Sequence, residues 1–270
     1  PAQIAMTFNI TGPCQCIVTA CAAGTDAIGQ GMRLIRDGHA ETIIAGGSEA
    51  SIVRMCMSSF INIQALSTRN EEPEKASRPF DRDRNGFVMA EGAGILILEE
   101  YGHAKARGAK IYAEVAGFGQ TCDAHHLTAP DPEGAGVSRA IKLALADAGL
   151  KPDDIDWVSA HGTSTPLNDP IETKAIKTAF GDHAKRLRVS SLKSMTGHCI
   201  GAAGAIESIA GILGMRDGYV HATINYDNPD PACDLDYVPN KGLDMPIRAF
   251  IKNSMGFGGQ NAVVVFKTVR

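Results

Sequence analysis

One cysteine, two histidines and a lysine stand in this sequence where short apolar runs give way to glycine and small residues. Cys21 follows the apolar run 16–20 and precedes a stretch with helical spacing, whose apolar members include Ala22, Ala23, Ala27, Ile28, Met32, Leu34 and Ile35. A strand feeding a helix at a cysteine puts the thiol in the partial positive charge of the helix N-terminus, which favours the thiolate, the reactive form. Ala22, Ala23 and Gly24 leave room for a reactant beside that sulfur. The competing reading of this window is an inert, buried cysteine. His161 lies just past a second apolar run, Lys193 and His198 just past a third, and Asn253 to Asn261 form a glycine loop around Phe257. A thiolate with imidazoles meets the requirement for acyl transfer through a thioester. An imidazole Nε–H can also donate to a carbonyl oxygen that gathers negative charge. A zinc site on the same residues needs a fourth ligand that the spacing does not supply, so no metal is expected.

The elements that must hold these residues follow from periodicity. Residues 1–13 read as a short helix or loop with Ile4, Ala5 and Phe8 facing inward, 17–20 as a strand, and 24–37 as a helix closed at Gly38. Residues 42–47 read as a buried strand, 49–65 as a loop and helix, and 67–86 as a polar surface excursion. A buried strand over 87–98 and a charged helix over 99–107 complete the first part. The second part begins at Ile111, with strands over 111–119, 155–160 and 187–191. Its helices fall over 136–148, 170–180 and 201–216, the middle one capped by Asp169 or Asn168. Residues 251–254 and 262–266 pair as hairpin arms. Alternating strands and helices specify an α/β fold with parallel strands in the middle of the sheet, the second part repeating the first. Strand exits of both parts then gather on one side, where sites collect.

The 270 residues suffice for one large domain or two modest ones, with 44% hydrophobic and 21% charged residues as in ordinary globular chains. A net charge of -4 and no long basic block argue against nucleic acid as a partner. No apolar run is long enough for a membrane span. Seven cysteines, an odd number without metal or disulfide spacing, point to free thiols in a reducing compartment.

With these stretches assembled, the chain resembles the elongating (synthase II-like) β-ketoacyl-acyl carrier protein synthases, among the thiolase-like condensing enzymes. The matching motifs are Thr19-Ala-Cys-Ala22, His161-Gly-Thr-Ser-Thr-Pro-Leu-Asn-Asp169, Lys193-Ser-Met-Thr-Gly-His198 and Gly256-Phe-Gly-Gly259. Arg78-Pro-Phe-Asp81 and Gly86-Phe-Val-Met-Ala-Glu-Gly-Ala-Gly94 match as well. They stand in the family's order across nearly the whole chain.

The resemblance implies a thiolase-like α/β/α/β/α fold of two similar halves, residues 1–110 carrying the nucleophile and 111–270 both histidines. It implies that Cys21 takes an acyl chain from the phosphopantetheine of an acyl carrier protein. His161 and His198 would then assist decarboxylation of malonyl-carrier protein, and the carbanion would attack the Cys21 thioester in a Claisen condensation. The N–H groups of Cys21 and Phe257 would form the oxyanion hole. Lys193 would organise the site with Glu207, and Asp169 and Glu172 would give structural support. Thr163 and Thr165 would hydrogen-bond the pantetheine arm. Phe257, hinged by Gly256, Gly258 and Gly259, would gate the cysteine, while Phe87 lines the entrance and Phe60 the acyl pocket. No permanently bound cofactor is implied. The expected partners are acyl carrier protein and a second copy of the chain, paired through residues 16–20, with no nucleic acid or membrane. The location implied is bacterial cytoplasm or an organelle matrix. Two histidines rather than a histidine and an asparagine fit elongating enzymes, and the context of Asn168 and Asp169 fits fatty-acid over polyketide synthesis. A polyketide ketosynthase and an inactive dimerising fragment are the alternatives. The chain opens Pro-Ala-Gln-Ile, without Met, and the family's first half has strands and helices ahead of the nucleophile. Most of that half is therefore expected to lie outside this chain.

Overall fold

Small residues at helical spacing let two helices approach closely, and that approach organises the molecule. The computed structural model describes residues 1–269. Its first part contains α1 (Ala2–Phe8), α2 (Ala23–Arg36), β1 (Thr42–Glu49), α3 (Arg54–Asn62), β2 (Gly92–Glu99) and α4 (Tyr101–Ala106). The second begins with β3 (Glu114–Cys122), α5 (Ala135–Ala148), β4 (Trp157–Ser159), α6 (Asn168–Phe180) and β5 (Arg188–Ser190). It continues through α7 (Lys193–Thr196), α8 (Ile200–Asp217), the short strands β6 (Tyr219–Val220) and β7 (Leu243–Asp244), then β8 (Ala249–Gly256) and β9 (Gln260–Lys267). β1 and β2 form an antiparallel pair, and the larger sheet has the order β3-β9-β8-β4-β5. Between the strands of that sheet, β8, β4 and β5 pair in parallel, while β9 runs antiparallel to both its neighbours.

Helices α2 and α8 pack against each other between the two sheets, and α5 and α6 cover the far face of the larger one. The close crossing needs glycine. A Cβ on Gly24 would fall 2.8 Å from Ala205 N, and one on Gly204 would fall 2.2 Å from Thr25 Oγ1. Successive strand residues serve opposite faces. Phe250, Val264 and Phe266 join Ile28, Met32, Ile212 and Met215 in the core between the sheets. Ile251, Val263 and Val265 join Val137, Ile141, Leu145, Ile176 and Phe180 on the other side. Burying each such side chain contributes roughly 1.5–3 kcal/mol, so these two cores hold the strand exits in place.

Four expectations need correction. Helix α1 forms, but Phe8 is 69% exposed, and Ile4 is exposed too. Residues 17–20 form no strand: Val18 is 82% exposed and Cys21 sits in a 3-10 turn, Ala20–Ala22, because no strand among the described residues lies alongside to supply ladder hydrogen bonds. β1 and β2 are only half-buried, since a two-stranded sheet covered on one face leaves Ile44, Ile95 and Ile97 in contact with solvent. Within 67–86, by contrast, Arg78, Phe80 and Asp81 are buried, the Arg78 guanidinium resting 2.9 Å from Asp81. A buried ion pair looks like surface polarity in a one-dimensional reading.

Candidate active site

Cys21 ends the irregular stretch before α2 and is buried. Ala20 just before it has φ +50°, a left-handed conformation uncommon for a residue with a Cβ. Gly256, where β8 ends, lies against this turn: a Cβ there would stand 2.6 Å from Thr19 O and 3.3 Å from Cys21 N. The main-chain N–H groups of Phe257 and Cys21 act on the sulfur from this turn and from the loop after β8. Their effect, together with that of the Lys193 ammonium, is to lower the thiol's pKa. Burial acts the other way and wins, pushing Cys21 up to about 11. The helix start favours the thiolate as expected, but by at most about 2 kcal/mol, and desolvation here exceeds it.

The loop after β4 carries His161. Glu172, wholly buried on α6, accepts from the N–H of His161 at 2.7 Å and of Gly162 at 2.8 Å. Asp169 accepts from Thr163 N at 3.1 Å, Phe80 N at 2.7 Å and Asn168 Nδ2 at 3.0 Å. Neither Asp169 nor Asn168 caps α6 as expected. The hydroxyl of Thr165 accepts from Asn168 N at 3.3 Å instead, leaving Asp169 to brace the loop. Thr163 and Thr165 hydroxyls lie 2.9 Å apart, with Thr165 half-buried.

His198 reaches the same place from the turn between α7 and α8. Its N–H donates to Val88 O at 2.7 Å, and its own carbonyl accepts from Ala90 N at 3.0 Å. The ring is buried, yet neither Nδ1 nor Nε2 has a hydrogen-bond partner. It stands edge-on to His161, centroids 5.3 Å apart, and edge-on to Phe87, also at 5.3 Å. Phe60 follows at 5.3 Å from Phe87 and Phe257 at 6.3 Å from Phe60. A row of rings thus joins the glycine loop to both histidines. Burial, and then the ammonium of Lys193, holds both imidazoles well below the ordinary histidine pKa. Both are neutral at pH 7, each with one N–H donor and one lone pair.

Lys193 is buried beneath them, 2.5 Å from Glu207 Oε1 and donating to His161 O at 2.7 Å. Burial alone would raise the Glu207 carboxyl, but Lys193 and Lys252 overturn it and hold it below the usual value. The second lysine, along with Glu49 and the 123–128 loop, escaped the sequence reading, and Asn253 and Asn261, expected in the glycine loop, lie instead in β8 and β9, whose hydrogen-bonded ladder reaches Gly256 and Gln260. Asn253 Nδ2 donates to Glu172 at 3.2 Å, and Glu49 accepts from Gly201 N at 3.1 Å, at the start of α8. Gly258, with φ +82°, donates to Leu127 O at 2.7 Å. A lysine inside an otherwise uncharged strand was the available signal for Lys252; the others are contacts between distant segments and left none.

The arrangement offers a buried thiol whose charge the main-chain N–H groups of Cys21 and Phe257 favour, two neutral imidazoles with one ring unengaged, and an aromatic passage leading in. Such a site can take an acyl group on sulfur and stabilise a developing oxyanion or enolate. Among the described residues no group of acidic, histidine or cysteine side chains is arranged to hold a metal ion.

Comparison with known proteins places the chain among relatives. Residues 1–104 match the family model of the beta-ketoacyl synthase N-terminal domain, and residues 112–227 that of the C-terminal domain. The 3-oxoacyl-[acyl-carrier-protein] synthase 2 of Synechocystis sp. is 53% identical over 263 residues, 97% of this chain and 63% of that protein. Its namesake in Coxiella burnetii is 50% identical over 267 residues, 99% of this chain and 64% of its own length. The chain thus spans about 63% of the length of the Synechocystis relative. Among solved structures, a type II polyketide ketosynthase in complex with its acyl-carrier protein superposes with a TM-score of 0.98 at 46% identity, over 100% of this chain and 66% of that one. A beta-ketoacyl synthase from Burkholderia phymatum gives 0.95 at 40% identity, over 100% of this chain and 65% of that one.

Proposed function

The chain belongs to the β-ketoacyl synthase family, with a thiolase-like fold, and from that premise we propose that it carries the catalytic centre of an elongating 3-oxoacyl-acyl carrier protein synthase. In the first half-reaction the Cys21 sulfur attacks an acyl-phosphopantetheine thioester. The new S–C bond replaces the old one, and the Cys21 proton leaves with the pantetheine thiol. The N–H groups of Cys21 and Phe257 hold the oxyanion of the tetrahedral intermediate. Because the resting thiol is protonated, proton loss must accompany attack.

In the second half-reaction malonyl-carrier protein loses carbon dioxide. The electrons of the breaking C–C bond become an enolate, whose oxygen receives hydrogen bonds from His161 and His198. The enolate carbon then attacks the Cys21 acyl carbonyl, and the thiolate leaves and regains a proton. The product is a 3-oxoacyl thioester. Neutral imidazoles suit this role, because a neutral donor stabilises the developing charge without first giving its proton away. Lys193 and Glu207 set the ring position, and Asp169 and Glu172 brace the loop. Thr163 and Thr165 would bind the pantetheine arm that Phe87 and Phe257 admit, and Phe60 would border the acyl chain.

The observation that carries this reading is His198: a buried ring with both nitrogens unengaged, beside His161 and in one aromatic row with Phe257. Buried polar atoms without partners are expected where a substrate supplies the partner. The test supplies acyl-carrier protein and then malonyl-carrier protein to the protein at its full natural length. Cys21→Ser should abolish acylation seen by mass spectrometry, while His198→Ala should acylate normally and yet fail to condense. Condensation by both variants would refute the assignment. Turnover with polyketide but not fatty-acid carrier protein would move the same chemistry to the second pathway, which the type II ketosynthase likeness keeps in view. A homodimer formed through residues 16–20, which pair with no strand among the described residues, and a cytoplasmic location complete the proposal. Light scattering tests the first, and fractionation the second.

A further inference from the structure

Lys252 is the one charged residue in β8, and it is fully buried. A buried ammonium persists only where other groups replace its water. Its Nζ lies 2.7 Å from Glu207 Oε2 and donates to Ala160 O at 3.1 Å, to Ser159 O at 3.4 Å and to the carbonyl of Asn253. Lys193 Nζ takes the other carboxylate oxygen, Oε1, at 2.5 Å and donates to His161 O at 2.7 Å. Consecutive carbonyls at Ser159, Ala160 and His161 are therefore gripped by two ammonium groups that one carboxylate ties together. These are the carbonyls where β4 ends and the His161 loop begins.

Resting on the condensation proposed above, we infer that Lys252 is a positioning residue for malonyl decarboxylation: with Glu207 and Lys193 it fixes the main chain that carries His161, and hence the alignment of that ring with His198. Acyl transfer depends instead on the N–H pair of Cys21 and Phe257, which the nucleophile turn and the glycine loop hold. The two half-reactions should therefore respond differently to loss of this clamp.

The clamp also titrates. Lys252 faces Glu207 on α8, Lys193 on α7 and Glu172 on α6, and its charge is felt by His161, His198 and His221. Burial brings its ammonium down to about 8, with Glu207 opposing the fall and Lys193 adding to it. An ammonium offers three protons and a positive charge to these acceptors, whereas the neutral amine offers two protons and no charge to hold Glu207. Both catalytic imidazoles are already neutral in that range, so the change they experience is one of position. Decarboxylation should accordingly decline above about pH 8, while Cys21 acylation keeps rising with thiolate.

The experiment measures the half-reactions separately on the full-length protein, as carbon dioxide released from malonyl-carrier protein and as acyl mass added at Cys21. At pH 7, Lys252→Met should slow decarboxylation roughly tenfold to a hundredfold, the scale of a small misplacement at a reacting centre, and leave acylation within about twofold. Its decarboxylation profile should also lack the basic limb. Equal losses in both half-reactions, or a limb that survives the substitution, overturn the inference. If far-UV circular dichroism finds Lys252→Met unfolded, Lys252→Gln decides, since it keeps two donors and cannot titrate: the limb should vanish, and its persistence overturns the inference. A wild-type protein that neither acylates nor decarboxylates refutes the condensation reading and this inference with it. An active wild type with an indifferent Lys252 variant refutes this inference alone.

Discussion

At the scale of single residues, the chemistry turns on how burial competes with nearby positive charge. Around Cys21 burial prevails, and the thiol rises to about 11 despite Lys193 and two N–H groups. A thiol with a raised pKa is reactive in proportion to its small thiolate fraction, which grows tenfold per pH unit up to that pKa. Iodoacetamide should therefore modify Cys21 at a rate that climbs with pH and shows no plateau below pH 10; a plateau near 8 would mean that the positive surroundings win. Around the histidines, burial and the two lysines act in the same direction, so both rings stay neutral through the physiological range. If His198 donates to the enolate as proposed, His198→Ala should lower decarboxylation by about a hundredfold or more, the usual loss for one such donor. Direct measurement of carbon dioxide release checks it, with Cys21 acylation as the unaffected reference.

At the scale of elements, the decisive parts are the loop after β4 and the crossing of α2 with α8. Asp169 satisfies Thr163 N and Phe80 N, and Asp169→Ala would leave both buried donors unpaired. Each orphan costs about 1–3 kcal/mol, so the melting temperature should drop by several degrees or more. Burial raises Asp169 to about 6, even with Arg84 and these donors pulling it down. A folded-state value above the unfolded one means that the native protein binds more protons between about pH 4 and 6. The stability contributed by this group is full below that window and is lost as pH rises through it, by about 3 kcal/mol in all. Asp169→Asn should flatten that segment of the pH–stability curve measured by urea denaturation. At the helix crossing, Gly204→Ala would drive a methyl into Thr25, and the two helices would have to part. Overpacking of this kind costs about 1–3 kcal/mol, and a shift in the urea midpoint measures it.

At the scale of the whole molecule, the two sheets are unequal. The five-stranded sheet has helices on both faces, while the β1–β2 pair has α2 and α8 on one face only. Ile97 is 59% exposed on the other face, and Met6 and Phe8 on α1 and Met55 and Ile61 on α3 are exposed as well. Large apolar side chains left in water favour association. The 270-residue chain expressed by itself should bind a hydrophobic dye and associate as its concentration rises. Dye fluorescence and light scattering check this together; a dye-silent monomer would show that the face is tolerated by water. No helix among the described residues is long and apolar enough to cross a membrane, so the exposed surface is not a helical span.

What the sequence determined by itself is the local part of this protein. The amphipathic pattern of Val137, Ala140, Ile141, Ala144 and Leu145 specifies a helix face, and all five side chains are buried on it. The hairpin arms around Gly258 and the strand exits before His161 and Lys193 are legible for the same reason, since period and glycine punctuation are properties of neighbouring residues. The motifs around Cys21, His161, Lys193 and His198 announced the family. Tertiary structure decided the rest. Whether residues 17–20 form a strand depends on whether another strand lies alongside them, and none does among the described residues. Whether Cys21 rests as thiol or thiolate depends on how much water the fold removes, which no window of residues records. That Lys252 and Lys193 share Glu207 across three elements is likewise invisible in one dimension, because desolvation and charge pairing arise only once distant segments are packed together.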